Sequence, residues 1–304
     1  MSTGRSAPQS MRRDVASDGC KEMRRERTVS PRANERCAAE PMTRPSSPGI
    51  VLPAVNVNAP YVSRLSARSA MYTDLRLLLD SADTSVPDGG YRALVLEENR
   101  LLRPSGSSRQ KLWKELSARY RLVGTDPLFV AFQGEWSRCV SEAERALTAY
   151  VLLVLNDRLV ADLGIHWLFE RLRNAPVELR VDDVLGFIAR SVREHPEVER
   201  WSETTTLRVA QHYLASLRDF GLARGTLRKV TVRPALSSGP VRLMVRALAL
   251  AGISDLDALR SPLFRLLALD GAEVFDALGE LNGAGALRFH MQADVVELDA
   301  EMAT

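Results

Sequence analysis

From residue 61 onward the apolar positions recur mostly at helical spacing; before it they show no sustained period. Residues 1–60 contain no Phe, Trp or Tyr and are rich in Arg, Ser, Pro and Ala. Such a stretch buries too little apolar surface to offset its ordering entropy, so a disordered basic tail is expected over 1–60. The pattern then predicts helices over 64–80 and 91–102, divided by Pro87, Gly89 and Gly90 and closed by Pro104 and Gly106. The next helix takes Ser107 or Ser108 as its cap. Along it Leu112, Trp113, Leu116 and Tyr120 share one side, with Lys111, Lys114 and Arg121 opposite. Asp126-Pro127 has the form of a cap followed by proline at the first helical position. Ser141 and Glu144 stand at capping-box spacing ahead of Ala146–Leu155, an apolar run broken only by Thr148. That run is about half of the ~20 residues a membrane-spanning helix needs, and reads as a buried core helix.

Beyond residue 157 the chain follows one plan twice. Helices are expected at 158–173, 182–194 (stopped by Pro196) and 203–219, the last with Ser202 as cap and Gly221 just past its end. A β-prone stretch, 226–233, follows. Helices near 239–251, 255–268 and 271–283 come next, then a hairpin of Leu287–Gln292 and Val295–Leu298 turning at Ala293-Asp294. Three helices followed by β-structure is the order of a winged helix. The fold expected is therefore mainly α: a basic tail (1–60), an N-terminal helical bundle (61–157), a winged-helix-like module (158–235) and a second, acidic one (236–304).

Charge divides the chain in the same way. Residues 1–49 hold ten Arg and Lys against six Asp and Glu, residues 50–252 hold 28 against 22, and residues 253–304 hold three against ten. A mildly basic body with an acidic end implies two kinds of contact surface. The net charge of +3 is too small to mark a nucleic-acid binder by itself. The three cysteines, Cys20, Cys37 and Cys139, are odd in number and form no CxxC, which fits a reducing cytoplasm rather than a disulfide framework or a thiolate zinc site.

The residues of catalysis are scattered. His166, His195, His212 and His290 form no metal-ligand spacing, and no P-loop, Rossmann or nucleophile-elbow motif occurs. Ser105–Ser108 lacks the P-loop ending and is explained by helix capping; Asp182-Asp183 is explained by helix initiation. His166, within an apolar helix, reads as structural. No catalytic role, cofactor or metal is implied.

Helix 203–219 carries the most information. Leu207, Ala210, Tyr213, Leu214, Leu217 and Phe220 share one side, and Thr204, Thr205, Arg208, Gln211 and His212 the other. In a helix-turn-helix setting the polar side faces the major groove, where Arg208 and Gln211 have the chemistry to read base edges and Thr204 and Thr205 to bind phosphate oxygens. Arg224, Arg228, Lys229 and Arg233 then fall in the wing, placed for the DNA backbone. Arg109, Lys111, Lys114 and Arg121 make a competing basic surface. The plainer reading of both is a solvated helix face beside an ordinary basic turn. In the second copy Glu273, Asp276, Glu280, Asp294, Glu297 and Asp299 repel phosphate, so that face suits the first copy or a protein partner.

Four stretches together resemble the BrxA family of BREX phage-exclusion systems. They are Glu98-Asn99-Arg100-Leu101 leading to Ser105, Ser108, Arg109, Leu116 and Arg119-Tyr120; Leu152 through Asp157 to Leu163; Pro196 through Trp201-Ser202-Glu203-Thr204-Thr205 to Leu217-Arg218-Asp219-Phe220-Gly221-Leu222; and Leu266-Leu267 to Leu298. The third is the most specific, and the resemblance covers about residues 61–300. It implies a small helical, winged-helix protein that binds double-stranded DNA and accompanies the BREX methyltransferase and ATPase components. Members have also carried an inner-membrane label, which so short an apolar run does not support. The expected function is thus a non-enzymatic DNA-binding accessory of a BREX-type defence system in the cytoplasm, the alternative being a protein-interaction subunit of the same assembly.

Overall fold

The computed structural model describes residues 50–82, 90–292 and 295–300. Helix α1 covers Tyr72–Asp80, α2 Gly90–Leu96, α3 Gly106–Tyr120, α4 Pro127–Arg138 and α5 Glu142–Leu155. The caps follow side-chain chemistry. Ser105 and Ser108 cap α3 reciprocally, each side chain 3.2 Å from the other's amide, so the cap lies two or three residues ahead of the expected Ser107 or Ser108. Asp126 accepts from the Phe129 amide ahead of Pro127, and Ser141 accepts from the Glu144 amide. Every residue from Ala146 to Leu155 is buried, so α5 is the expected core helix.

Asp157 caps α6 (Arg158–Asp162), which runs through a π-helical segment, Leu163–Leu168, into α7 (Phe169–Arg173). Strand β1 (Glu178–Leu179), α8 (Val181–Ser191), a 3-10 turn (Pro196–Arg200), α9 (Glu203–Asp219), β2 (Ala223–Arg224) and β3 (Lys229–Thr231) follow. The three strands form an antiparallel sheet in the order β1-β3-β2. The chain continues with α10 (Ser238–Leu250), α11 (Asp255–Leu259), a 3-10 turn (Pro262–Leu267) and α12 (Ala272–Gly283). It closes with the antiparallel hairpin β4 (Arg288–Gln292) and β5 (Val295–Asp299). The protein is mainly α, as the periodicity predicts.

One hydrophobic core runs from Leu52 to Ala300, so the stretches expected at 61–157, 158–235 and 236–304 share a single interior. Helix α10 packs on both α4 and α5. Buried Glu135 in α4 joins them: its carboxylate meets Arg242 Nε at 2.7 Å and Arg246 at 3.3 Å. Buried Glu144 does the same at the first turn of α10, accepting from the Gly239 amide at 2.9 Å and the Ser238 hydroxyl at 3.2 Å. Both carboxylates are enclosed and fully partnered, as buried charge requires. At Gly164 a Cβ would run into the Leu266 side chain, so glycine lets the 262–267 turn close on the π segment.

Three expectations are corrected. Residues 50–60, expected in the tail, are packed on the folded part; residues 1–49 lie outside the described residues. Leu52 is fully buried, Ala54 and Ala59 are buried, and the Ile50 amide donates to the Leu250 carbonyl at 2.8 Å. This strap needs neither aromatics nor a helical period, because it packs as irregular chain against the ends of α5 and α10. The expected helix 64–80 is a 3-10 turn, Arg64–Ser66, then α1, divided at Met71 (φ 59°). Tertiary partners replace its helical bonds: the buried Arg119 guanidinium donates to the carbonyls of Arg64, Arg68 and Ser69 at 2.8–3.1 Å, and the Ala70 amide donates to Ser216 Oγ at 2.8 Å. The helix expected over 91–102 stops at Leu96, because Asn99 (φ 53°) turns the chain and holds the Arg103 backbone with its side-chain amide.

Leu52→Ala is expected to lower unfolding free energy by ~2–5 kcal/mol, the cost of a cavity in a closed core. A melting temperature within a degree of wild type would show that the strap does not belong to the core. Asp157 supplies a pH signature. Burial outweighs the nearby Arg64 guanidinium and the Val160 amide and pushes its carboxyl up to about 6. Between about pH 4 and that value the folded chain keeps a proton that the unfolded chain releases, so this group's contribution falls as pH rises through the window. Asp157→Asn keeps a capping side chain and is expected to remove that fall in chemical denaturation series. An unchanged difference in stability between pH 4 and 7 would contradict it.

Candidate nucleic-acid interface

Helix α9 lies between the bundle and solvent. Its inner face is fixed by Val209, Ala210, Tyr213, Leu214 and Leu217, all buried, and Phe220 just beyond its end meets the Tyr150 ring of α5 at 5.5 Å. Its outer face exposes Thr204, Arg208 and Gln211. Neither Arg208 nor Gln211 has a hydrogen-bond or ion-pair partner among the described residues. Leu207, expected on the packed side, is exposed. Thr205 is drawn into the cap, its hydroxyl 2.9 Å from Ser202 Oγ. His212, expected on the reading face, turns aside: its Nδ1 contacts the Leu65 carbonyl at 2.5 Å and its ring is part-buried against the 64–66 turn.

Arg224 at the end of β2 and Arg228 in the β2–β3 turn are both exposed and without an ion pair among the described residues, and Lys229, the first residue of β3, donates through Nζ to the Thr226 carbonyl at 3.1 Å. Gly225 shapes the turn: φ is 95°, and a Cβ there would run into the Arg228 carbonyl oxygen. Arg233, expected in the wing, has partners within the chain. Its guanidinium is 2.7 Å from the Glu273 carboxylate and donates to the Ala268 carbonyl, and it holds the Glu273 carboxyl below the usual carboxylate range. It therefore joins the acidic C-terminal part to the residues that follow β3.

The competing basic surface separates as well. Lys111 and Lys114 are exposed on α3. Arg121 pairs at 2.6 Å with Asp126, the cap of α4, and Arg109 is half-buried. Arg68, absent from the expected set, is exposed beside His212 and Asp219 in a shallow pocket at the flank of α9. Only tertiary packing brings it there.

The motif around Trp201 acquires a physical role. Glu197 accepts from the Tyr61 amide at 2.5 Å and from His195 Nδ1 at 3.1 Å. Burial disfavours its charge, but these donors hold the carboxyl below its ordinary range. The Tyr61 and His195 rings stack at 3.5 Å, and the Tyr61 hydroxyl donates to buried Asp162 at 2.8 Å alongside Arg158 Nε at 2.8 Å. This network fastens residues 59–61 to the α6 and 196–200 region. His166, expected as structural, has an exposed ring 3.9 Å from Asp162. Among the described residues no group of three or more His, Cys, Asp or Glu is placed to hold a metal, and no helix is long and apolar enough to cross a membrane.

The BrxA family model matches residues 59–246, from the strap into α10. The chain belongs to the BrxA family. Membership suggests a role in BREX phage defence and association with a BREX system. The match includes the Glu197 network, α9 and the β2–β3 turn, whereas the Leu266–Leu298 part of the sequence resemblance lies outside it. No curated protein matches the chain. It is similar to the crystal structure of an uncharacterized protein from Magnetospirillum magneticum, at 14% identity and a TM-score of 0.44, over 60% of this chain and 90% of that one.

If His212 is a packing residue, His212→Ala should cost ~1 kcal/mol of stability through its lost hydrogen bond, while Gln211→Ala stays within ~0.5 kcal/mol of wild type. Thermal unfolding of the two variants checks this. Equal melting temperatures would return His212 to the exposed set.

Proposed function

We propose that this BrxA-family chain is a non-enzymatic double-stranded DNA-binding accessory of a BREX defence system, acting in the cytoplasm with components such as the methyltransferase and ATPase. Residues 158–235 are read as a winged helix, with α9 in the major groove and the 225–228 turn on the adjoining backbone. The observation that carries this reading is one of placement. The order helix, strand, helix, helix, two-stranded turn is that of a winged helix, and its third helix and wing carry Arg208, Arg224, Arg228 and Lys229, none of which has an ion pair among the described residues. Arg208 and Gln211 are base-reading side chains, and Arg224, Arg228 and Lys229 are phosphate-contacting ones. The non-enzymatic part is supported by what the buried carboxylates do: Glu135 and Glu144 bond to α10, Asp162 bonds to Tyr61 and Arg158, and Asp157 caps α6.

Salt-dependent binding of the purified chain to duplex DNA is the test. Each lost phosphate contact should flatten the log–log salt slope by ~0.9, so Arg228→Ala with Lys229→Ala flattens it by about two on any sequence. Arg208→Ala should cost ~1–3 kcal/mol more on a preferred site than on random duplex. Lys111→Ala with Lys114→Ala is the control. If that control abolishes binding while the α9 and wing variants bind like wild type, the interface lies on α3. If duplex is not bound at all, the protein-interaction reading takes its place.

A further inference from the structure

We propose that the β2–β3 turn is a DNA-kinking wedge, with Leu227 as the side chain that enters between base steps in the minor groove; this rests on the DNA-binding reading above. Leu227 is 97% exposed at the tip of the turn. Single exposed apolar residues are ordinary, and Leu102 and Val140 are exposed to 86% and 94%. Their setting differs. The arginines beside Leu102 are spent on Glu98 and Asp74, and Arg138 near Val140 is spent on Glu135. The cations around Leu227 are not: Arg224 and Arg228 have no carboxylate partner among the described residues. A leucine flanked in sequence by two arginines without an ion pair among the described residues suits a minor groove, which has a phosphate backbone on each side and apolar base faces between.

The base of the turn is built to deliver it. Val230 pairs with Glu178 on β1 and with Arg224 on β2, so β3 is held from both sides. Gly225, with no room for a Cβ, closes the turn tightly against the Arg228 carbonyl. The tip therefore projects from a fixed platform, and the α9 helix beside it sets how far it reaches. One leucine is too small an apolar surface to dock a protein or a bilayer, but it is enough to unstack a base step. Wedges of this kind bend duplex by roughly 20–90° toward the major groove, and they do so most readily at pyrimidine–purine steps.

The experiment uses the full chain and a duplex of about 25 base pairs carrying a fluorophore pair on its ends, with and without TA steps. Wild type should raise transfer efficiency on binding and prefer the TA duplex several-fold. L227A should bind with the wild-type salt slope but lose both the bend and the preference, and L227F should keep them. Arg228→Ala with Lys229→Ala should instead flatten the slope. If L227A bends DNA as wild type does, or wild type binds without bending, the wedge is wrong while DNA binding stands. If wild type shows no salt-dependent binding, the underlying reading and the wedge fall together.

Discussion

The enclosure of α5 is the constraint on which the rest of the structure depends. A helix apolar on every side has no face to give to water, so other elements must surround it. Here α4 and α10 cover it directly, α6 follows from its C-terminal end, and the strap around Leu52 closes over it. Enclosure carries a polar cost, because the chain that wraps the helix brings charges into the interior. Each is met by a bond that joins two elements: Glu135 to Arg242, Glu144 to the start of α10, Asp162 to Tyr61 and Arg158. The ionic groups thus fix which helix lies where, while burial supplies the driving force.

The same arrangement positions the proposed DNA surface. Arg119 of α3 gathers the carbonyls of 64–69, and that segment lies against α9 through His212 and Ser216. From the other side Tyr150 of α5 meets Phe220. Helix α9 is therefore held along its inner face by the bundle and presents a fixed outer face. Rigidity behind a reading helix matters because base-edge hydrogen bonds are geometrically demanding. Gly164 lets the 262–267 turn close against the π segment and α7, and the Arg233–Glu273 pair ties α12 to the residues that follow β3.

Much of this was legible in the sequence where local chemistry decides it. The caps at Asp126, Ser141 and Ser202, the core helix 146–155 and the C-terminal hairpin all follow from patterns a few residues long. The family was legible because the motif from Pro196 to Leu222 is long and ordered. What escaped depends on partners far away in the chain. The strap 50–60 has no periodicity because it borrows its partners from Leu155 and Leu250. Strand β1 is two residues long and exists only through its pairing with β3. Arg121 and His212 look like free contact residues on a helix face and Arg233 on a wing, yet Asp126, the Leu65 carbonyl and Glu273 pair with them. Arg68 is the converse, an arginine in an unpromising turn that folding carries to the flank of α9.

The central claim is that one face of the molecule, α9 with the β2–β3 turn, meets DNA. Amide hydrogen exchange of the full chain with and without duplex tests it most directly. The account predicts slowed exchange in the first turns of α9 and through residues 224–229, with the acidic stretch 255–299 unchanged. Protection confined to α3, or to the acidic hairpin, would contradict it.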